Sequence, residues 1–287
     1  MDALKGVSFQ VGTGELFGII GPDGAGKTSL FRILTTLLIA DEGSATVDGL
    51  DVRRDYKQIR CRVGYMPGRF SLYQDMSVEE NLSFFASVFG TTIQANYRLI
   101  EDIYKQIEPF KKRRAGKLSG GMKQKLALCC ALIHKPSVLF LDEPTTGVDP
   151  VSRKEFWQML RRLQAQNITI VVSTPYMDEA MLCDRIALIR EGLFLTIDTP
   201  AKIIAGFEAP LFAASAGNMS RLLSHLRRLP EVKSSYAFGD VHHVVLDRRE
   251  SLSTVANRLK ESGFPDIEMH PITPTVEDQF LNLEFRV

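Results

Sequence analysis

The sequence predicts an α/β protein with a mixed, largely parallel sheet, a helical lobe that interrupts it, and a small C-terminal α+β domain. Short apolar runs with the length of buried strands alternate with amphipathic helical segments in the second half of residues 1–205. The preceding stretch, about residues 70–134, is mostly helical in pattern. From residue 206 to residue 287 the pattern changes to β-α-β-β-α-β, the order of a small ferredoxin-like sandwich.

Composition narrows the class of protein. A chain of 287 residues can hold one large and one small domain. The formal net charge of +1 provides no overall basic field, so nucleic acid is not expected as a partner. No apolar run approaches the roughly 18 residues that span a bilayer, and the N-terminal residues lack the apolar core of a signal peptide. We expect a cytoplasmic protein that a partner brings to the membrane if it works there.

The cysteine and histidine patterns indicate packing more than metal binding. The four cysteines form no C-x-x-C pair, and Cys129 and Cys130 are neighbours in a helical pattern. Buried free thiols are therefore favoured over disulfides or metal ligands. His242 and His243 lie in a predicted strand, where neighbouring side chains face opposite sides, so joint metal ligation is not expected.

The first elements follow from apolar spacing and turn residues. Residues 6–11 and 15–20 are predicted as two strands joined by a tight connection. A helix is predicted over 29–38, since its leucines and isoleucine recur on one face, and a short strand and turn over 45–49. Ser77 and Glu80 form a Ser-x-x-Glu capping box at the start of the helical stretch.

The remaining elements alternate as the fold class requires. Strands are predicted at 138–143, 168–174, 185–192 and 193–198, with helices at 152–166 and 176–184. In the C-terminal domain, strands are predicted at 211–215 and 267–270, with a hairpin over 232–246. Its helices are predicted at 219–229, 251–262 and 275–283.

The segment GPDGAGKT carries the most specific signal. It matches G-x-x-x-x-G-K-[ST], with a predicted strand before it and a helix after it. Backbone N–H groups of such a loop surround phosphate oxygens, and the helix N-terminus adds its dipole. A glycine-rich structural turn is the alternative. The candidate phosphate-binding residues are Gly21, Pro22, Asp23, Gly24, Ala25, Gly26, Lys27, Thr28 and Ser29.

Two further segments could act on the same ligand. Ser119 precedes Gly120 and Gly121 in LSGGMKQK, where it would cap a helix and leave an exposed helix N-terminus for a second anion. Taken alone, this segment could equally be a cap and nothing more. Asp142 and Glu143 follow a buried strand at the usual ligand edge of a parallel sheet. One carboxylate could hold Mg²⁺ and the other could position water; solvated acids in a turn are the alternative.

The ordered set of GPDGAGKT, LSGGMKQ, VLFLDE, GVDP and STPYMDEA resembles the nucleotide-binding domain of ABC transporters, an ABC-type P-loop NTPase, over about residues 1–205. The resemblance implies that ATP binds between the P-loop of one domain and the Ser119 segment of a second, in a homodimer or a heterodimer. It implies that Glu143 is the catalytic base, that Thr28 and Asp142 serve Mg²⁺, and that Asp149 lies in the loop crossing the dimer interface. It also implies a membrane permease partner, which would hold the chain at the cytoplasmic face of the membrane.

Three departures from the family pattern qualify this expectation. Pro175 stands where the family carries a histidine that touches the γ-phosphate, and Gly68 stands where it carries a glutamine that touches Mg²⁺. The family's first strand and its adenine-stacking aromatic residue would precede Met1. We therefore expect ATP binding with slow hydrolysis, in a subunit that drives an exporter-like permease. The alternative is a regulatory module that binds ATP while a partner domain hydrolyses it.

Overall fold

The structure, a computed structural model, describes residues 2–247 and 251–284. Contacts within the chain divide it into two compact units, Met1–Pro200 and Ala201–Val287. The assignment of residues 1–205 as a nucleotide-binding domain and of 206–287 as an accessory domain stays a prediction. Within the described residues, no helix combines the length and the apolar character that crossing a membrane requires.

The first unit is built on a mixed sheet. Its strands are β1 (Leu16–Ile20), β2 (Thr46–Val47), β3 (Leu50–Asp51), β4 (Val63–Met66), β5 (Val138–Asp142), β6 (Thr169–Thr174), β7 (Arg185–Arg190) and β8 (Leu193–Asp198). Among the described residues, six of them form one sheet in the order β4-β5-β6-β1-β7-β8. All neighbours pair in parallel except β8, which runs antiparallel to β7. Strands β1, β5 and β6 are buried throughout, as central parallel strands are.

The helices of this unit cover the sheet and form the helical stretch. They are α1 (Lys27–Leu34), α2 (Tyr56–Arg62), α3 (Val78–Val88), α4 (Tyr97–Tyr104), α5 (Gly120–Leu132) and α6 (Pro150–Ala165). In the described part of this unit, three short 3-10 helices join them, at Glu108–Phe110, Ala115–Lys117 and Met177–Leu182. The capping box is confirmed, because the Ser77 amide donates to Glu80 Oε2 at 2.7 Å and the Glu80 amide to Ser77 Oγ at 3.2 Å.

Two predicted elements of the first unit are wrong in part. Residues 6–11 are not a strand: their side chains alternate, with Val7, Phe9 and Val11 packed on the core, but no strand in the described part of the chain pairs with their backbone. The helix predicted to end at residue 38 ends at Leu34, because Thr36 turns the backbone into the left-handed region at φ 63°. Leu37 and Leu38 are consequently exposed.

The prediction of buried free thiols is confirmed for three cysteines and is wrong for Cys61. All four cysteines are free, and three of them are buried while Cys61, on α2, is exposed. Burial raises the pKa of the Cys129, Cys130 and Cys183 thiols well above the ordinary range. These three residues therefore serve as small apolar groups of the core.

The second unit is the predicted sandwich. After α7 (Pro200–Ala205), its elements are β9 (Leu211–Ser215), α8 (Met219–Leu226), β10 (Val232–Phe238), β11 (Val241–Leu246), α9 (Leu252–Glu261), β12 (Glu268–Pro271) and α10 (Val276–Glu284). The strands form an antiparallel sheet in the order β10-β11-β9-β12. Leu222, Val244, Val255 and Leu259 lie at the centre of its apolar core.

Two adjacent histidines of β11 point into different surroundings, as their strand position predicts. His242 Nε2 lies 2.7 Å from the Met219 carbonyl oxygen at the start of α8. His243 Nδ1 lies 2.6 Å from Asp278 Oδ1 on α10, and the Tyr236 hydroxyl donates to the same oxygen at 2.5 Å. Both histidines are buried, and within the described residues no cluster of His, Cys, Asp or Glu could hold a metal ion.

The buried Asp278 should make the stability of this unit depend on pH. Burial alone would raise the pKa of Asp278, but hydrogen bonds from His243, Tyr236 and Thr275 outweigh it and hold that pKa below the ordinary 3.8. The stabilisation is therefore present above pH 4 or so and is lost as the pH falls through the lowered pKa. Asp278→Asn should lower the free energy of unfolding by about 1–3 kcal/mol at pH 7. The difference should shrink at pH 3.

Urea denaturation of the full chain at both pH values, followed by hydrogen exchange in β11 and α10, measures this effect. Asp240→Asn, at the exposed tip of the β10–β11 hairpin, is the matched control and should change nothing. A destabilisation of equal size at pH 7 and pH 3 would show that the charge of Asp278 is not the cause.

Candidate functional site

The loop between β1 and α1 has the geometry of a phosphate-binding loop. Gly24 and Gly26 adopt left-handed backbone angles, φ 80° and 101°, which glycine reaches without strain. The backbone also leaves no room for a side chain at Gly21, where a Cβ would lie 2.1 Å from the Ile189 carbonyl oxygen. Pro22, Asp23 and Gly24 form the exposed crest of the loop. Ala25 is buried below it, while Thr28 and Ser29 in the first turn of α1 are half-buried.

Lys27 is the buried cation of the loop. Its side chain is 3% exposed, and its Nζ donates to the carbonyl oxygens of Gly21 at 2.8 Å and Pro22 at 2.9 Å. The same Nζ lies 3.1 Å from Glu143 Oε1. The ammonium is therefore held at the mouth of the loop, close to the first helical N–H groups of α1, where anions bind.

Asp142 and Glu143 lie beside this loop because β5, β6 and β1 are neighbours whose carboxyl ends meet at one edge. Asp142 is buried and accepts hydrogen bonds from Thr28 Oγ1 at 2.8 Å and Ser173 Oγ at 2.7 Å. Burial and, next, the charge of Asp142 raise the pKa of the nearby Tyr65 to about 12, which keeps that phenol neutral. The fold thus brings Lys27, Thr28, Asp142 and Glu143 together, and their roles in binding and catalysis stay predictions.

The backbone of Glu143 is fixed in an unusual conformation. Its φ is 50°, a region that few residues other than glycine adopt and that clusters at functional sites. Its amide donates to the carbonyl oxygen of Ser173 at 3.0 Å and to the Ser173 hydroxyl at 3.1 Å. Sequence reasoning missed Ser173, although its place at the end of a buried strand beside β5 is a signal that could have identified it.

Two of the three departures from the family pattern, Gly68 and Pro175, lie beside the P-loop and the acidic pair. A Cβ at Gly68 would lie 3.0 Å from the Asp142 carbonyl oxygen and 3.7 Å from Glu143 Cβ. Pro175 directly follows Thr174, whose carbonyl oxygen accepts from the Gly21 amide at 3.2 Å. Side chains at positions 68 and 175 would therefore emerge next to the P-loop and the acidic pair.

The Ser119 segment and Asp149 form a second group. Ser119 Oγ accepts from the Met122 amide at 3.4 Å and caps α5, as predicted. Gly120 and Gly121 open that helix, and Cβ atoms added there would approach Gly147 and Ser152 on the loop and helix that flank Asp149. Asp149 caps α6 by accepting from the Ser152 amide at 3.0 Å, and this backbone hydrogen bond lowers the pKa of Asp149.

No hydrogen bond links these two groups among the residues that the structure describes. In the part of the chain that the structure describes, the hydrogen bonds of the Ser119 segment do not reach the P-loop. The P-loop and the acidic pair can hold a phosphorylated ligand with a cation, and the start of α5 can receive an anion from elsewhere.

Comparison with known proteins agrees with this geometry. Residues 4–146 match the family model described as ABC transporter. The chain is 39% identical to the probable multidrug ABC transporter ATP-binding protein YbhF of Escherichia coli K12, over 98% of this chain and 49% of YbhF, so it spans about half the length of that relative. It is 35% identical to the daunorubicin resistance ATP-binding protein DrrA2 of Streptomyces coeruleorubidus, over 98% of this chain and 90% of DrrA2.

Solved structures show the same fold. An ATP-binding subunit of an ABC transporter superposes with a TM-score of 0.65 at 25% identity, covering 71% of this chain and 87% of that one. CbiO1 of Clostridium perfringens, part of the complex cbiONQ, superposes with a TM-score of 0.63 at 26% identity, covering 79% and 89%. With a relative of matching length above 30% identity, the conclusion is direct: this chain belongs to the ABC transporter family, among its ATP-binding proteins.

Proposed function

We propose that this chain is the ATP-binding and ATP-hydrolysing subunit of an exporter-type ABC transporter. The observation that carries the proposal is the convergence of Lys27 and Thr28 with Asp142 and Glu143 at one edge of the sheet. The names of two relatives support export as the direction: the daunorubicin resistance protein DrrA2, and the Nod factor export ATP-binding protein I of Rhizobium sp. strain N33, which is 34% identical over 99% of this chain.

Each part of the site has a distinct task. The N–H groups of Gly24 to Ser29 and the Lys27 ammonium bind the β- and γ-phosphates of ATP. Lys27 would exchange its contact with Glu143 for the phosphates, because one ammonium offers three donors and two already serve carbonyls. Glu143, only partly buried and fixed through its backbone, is then free to take a proton from the attacking water.

The residues fit Mg²⁺ brought in with the nucleotide. Thr28 Oγ1 and Asp142 Oδ2 are hard oxygen donors 2.8 Å apart beside the phosphate loop. Mg²⁺ keeps several waters and is bound through one or two protein oxygens plus substrate phosphates, so a larger protein cluster is not required. When bound, the ion would neutralise charge that develops on the transferred phosphoryl group.

A second nucleotide-binding domain completes the site. The start of α5 at Ser119 has no hydrogen bond to its own P-loop in the described part of the chain, and it would meet the ATP of a partner domain, with Asp149 in the loop between them. A second copy of this chain and a different chain of the same family both fit this role. A membrane permease subunit would hold the pair at the cytoplasmic face and select the cargo.

Replacing Pro175 and Gly68 with the residues that the family carries should raise the rate of ATP hydrolysis. Because Pro175 offers neither an N–H nor a side-chain donor, one preorganised contact to the γ-phosphate is absent, and such a contact is worth about 10²–10³-fold in rate. Pro175→His combined with Gly68→Gln should recover part of it, about tenfold in kcat, with ATP affinity nearly unchanged. Steady-state phosphate release by the purified chain measures this change.

The single variants serve as controls, since each restores one side chain only. ATP binding without hydrolysis in the wild type, rescued by the double variant, would support the regulatory alternative, in which a partner domain hydrolyses. Absence of ATP binding in both proteins would contradict the proposal altogether.

A further inference from the structure

A buried carboxylate next to the site has no part in the mechanism above. Glu179 lies in the 3-10 helix Met177–Leu182 and is 1% exposed. A charge so deeply buried is tolerated only when its oxygens are hydrogen-bonded or paired. Both oxygens of Glu179 are satisfied, and the identity of their partners gives this residue a specific place in the site.

Each oxygen of Glu179 holds a different loop. Oε1 accepts from the Thr145 hydroxyl at 2.8 Å, and Oε2 accepts from the Thr174 hydroxyl at 2.5 Å. Both threonines are fully buried. Arg153 Nε lies 3.7 Å from Oε1 and supplies a compensating positive charge from α6.

The two threonines flank the catalytic groups. Thr145 follows Glu143 by two residues, in the turn where the Thr146 amide donates to the Glu143 carbonyl oxygen at 3.2 Å. Thr174 lies between Ser173, which holds the Glu143 amide, and Pro175. Glu179 therefore joins the loop after Glu143 to the loop that carries Pro175.

The Glu179–Thr174 hydrogen bond also reaches the turn that carries Pro175. Pro175 has no N–H, so the turn after β6 is fixed through its neighbours. The Tyr176 amide donates to Thr174 Oγ1 at 3.1 Å, while the same hydroxyl donates to Glu179. The Arg153 guanidinium covers the Tyr176 ring, 4.1 Å from its centre, and closes the turn from outside.

We propose that Glu179 is a positioning residue for ATP hydrolysis, which holds Glu143 in its left-handed conformation through Thr145 and fixes the turn at Pro175 through Thr174. This inference rests on the proposed function, since it assumes that Glu143 acts on the attacking water. Glu179 touches neither nucleotide nor water in this scheme, and its effect passes through Glu143.

Glu179→Gln should lower kcat about tenfold and leave the Kd for ATP unchanged, because a hydrogen bond to a charged group is lost without change of volume. Thr145→Val removes only the hydrogen bond between Glu179 and the loop after Glu143, and it should lower kcat by a similar factor. Thr35→Val is the matched control, since Thr35 is also buried and its hydroxyl donates to the Phe31 carbonyl oxygen at the end of α1. Single-turnover ATP hydrolysis and thermal unfolding are measured for each variant.

The deciding measurement repeats Glu179→Gln in a Glu143→Gln background. A residue that acts through Glu143 should lower the residual rate no further there, so that the two effects are not additive. The inference would be overturned if the losses of hydrolysis rate from the two substitutions add in the double variant. It would also be overturned if folded Glu179→Gln and Thr145→Val proteins keep the wild-type kcat. If Glu143→Gln alone leaves hydrolysis intact, Glu143 is not the base and the inference fails with it; the proposed function itself fails only if the wild type neither binds nor hydrolyses ATP.

Discussion

Glu143→Gln is expected to lower the rate of ATP hydrolysis by about 10²–10⁴-fold, the contribution of a positioned general base. The amide keeps the size of the carboxylate but cannot accept a proton from water. The backbone of residue 143 should stay in place, because its amide is held by both the carbonyl oxygen and the hydroxyl of Ser173. ATP binding should therefore persist, and ATP should remain trapped with Lys27 released from its ion pair with residue 143.

Glu42→Gln is the control for this prediction, since Glu42 is exposed in a loop. Single-turnover hydrolysis and equilibrium ATP binding are measured side by side. A Glu143→Gln protein that hydrolyses ATP within threefold or so of the wild-type rate would exclude Glu143 as the base, given that a general base contributes at least about a hundredfold.

Lys27→Ala is expected to weaken ATP binding by about 10–10²-fold, since charge-assisted hydrogen bonds to phosphate are lost. The substitution also leaves Glu143 without its cation, next to where the γ-phosphate would lie, and the unpaired carboxylate would repel the ligand further. At low ATP concentration the rate of hydrolysis should fall because less of the site is occupied. At saturating ATP the rate should still lie below that of the wild type.

The binding of a fluorescent ATP analogue measures the loss, with Lys154→Ala on the exposed face of α6 as the control. Thermal unfolding without nucleotide distinguishes a lost ligand contact from a damaged fold, because the Lys27 ammonium also holds two carbonyls of the loop. Wild-type affinity in folded Lys27→Ala would show that the loop binds phosphate through its backbone alone.

Much of this architecture could be predicted from sequence because its signals are local. The buried strands β5 and β6 are apolar runs bounded by polar residues, and the P-loop motif lies between a strand and a helix as its mechanism requires. The capping box at Ser77 and the cap at Ser119 are likewise set by neighbours in sequence. The β-α-β-β-α-β order also followed from apolar periodicity.

What sequence could not supply depends on contacts over long distances. Residues 6–11 have the alternation of a strand, but strand formation needs a partner backbone, and none pairs with them in the described part of the chain. The end of α1 depends on a left-handed backbone conformation at Thr36, which the sequence does not indicate because the residue is not glycine. Ser173 and Glu179 act on residues about 30 positions away, and only the folded sheet brings them together.

The uneven burial of the cysteines makes the chain suited to site-selective bioconjugation. A thiol reacts as its thiolate, and the buried Cys129, Cys130 and Cys183 are both out of reach and held in the protonated form. Cys61 is exposed on α2, which leads into β4 and from there towards Gly68. The sequence thus already carries one accessible thiol, that of Cys61, to which a fluorophore or spin label can be attached. It lies a few residues from the segment that borders the acidic pair.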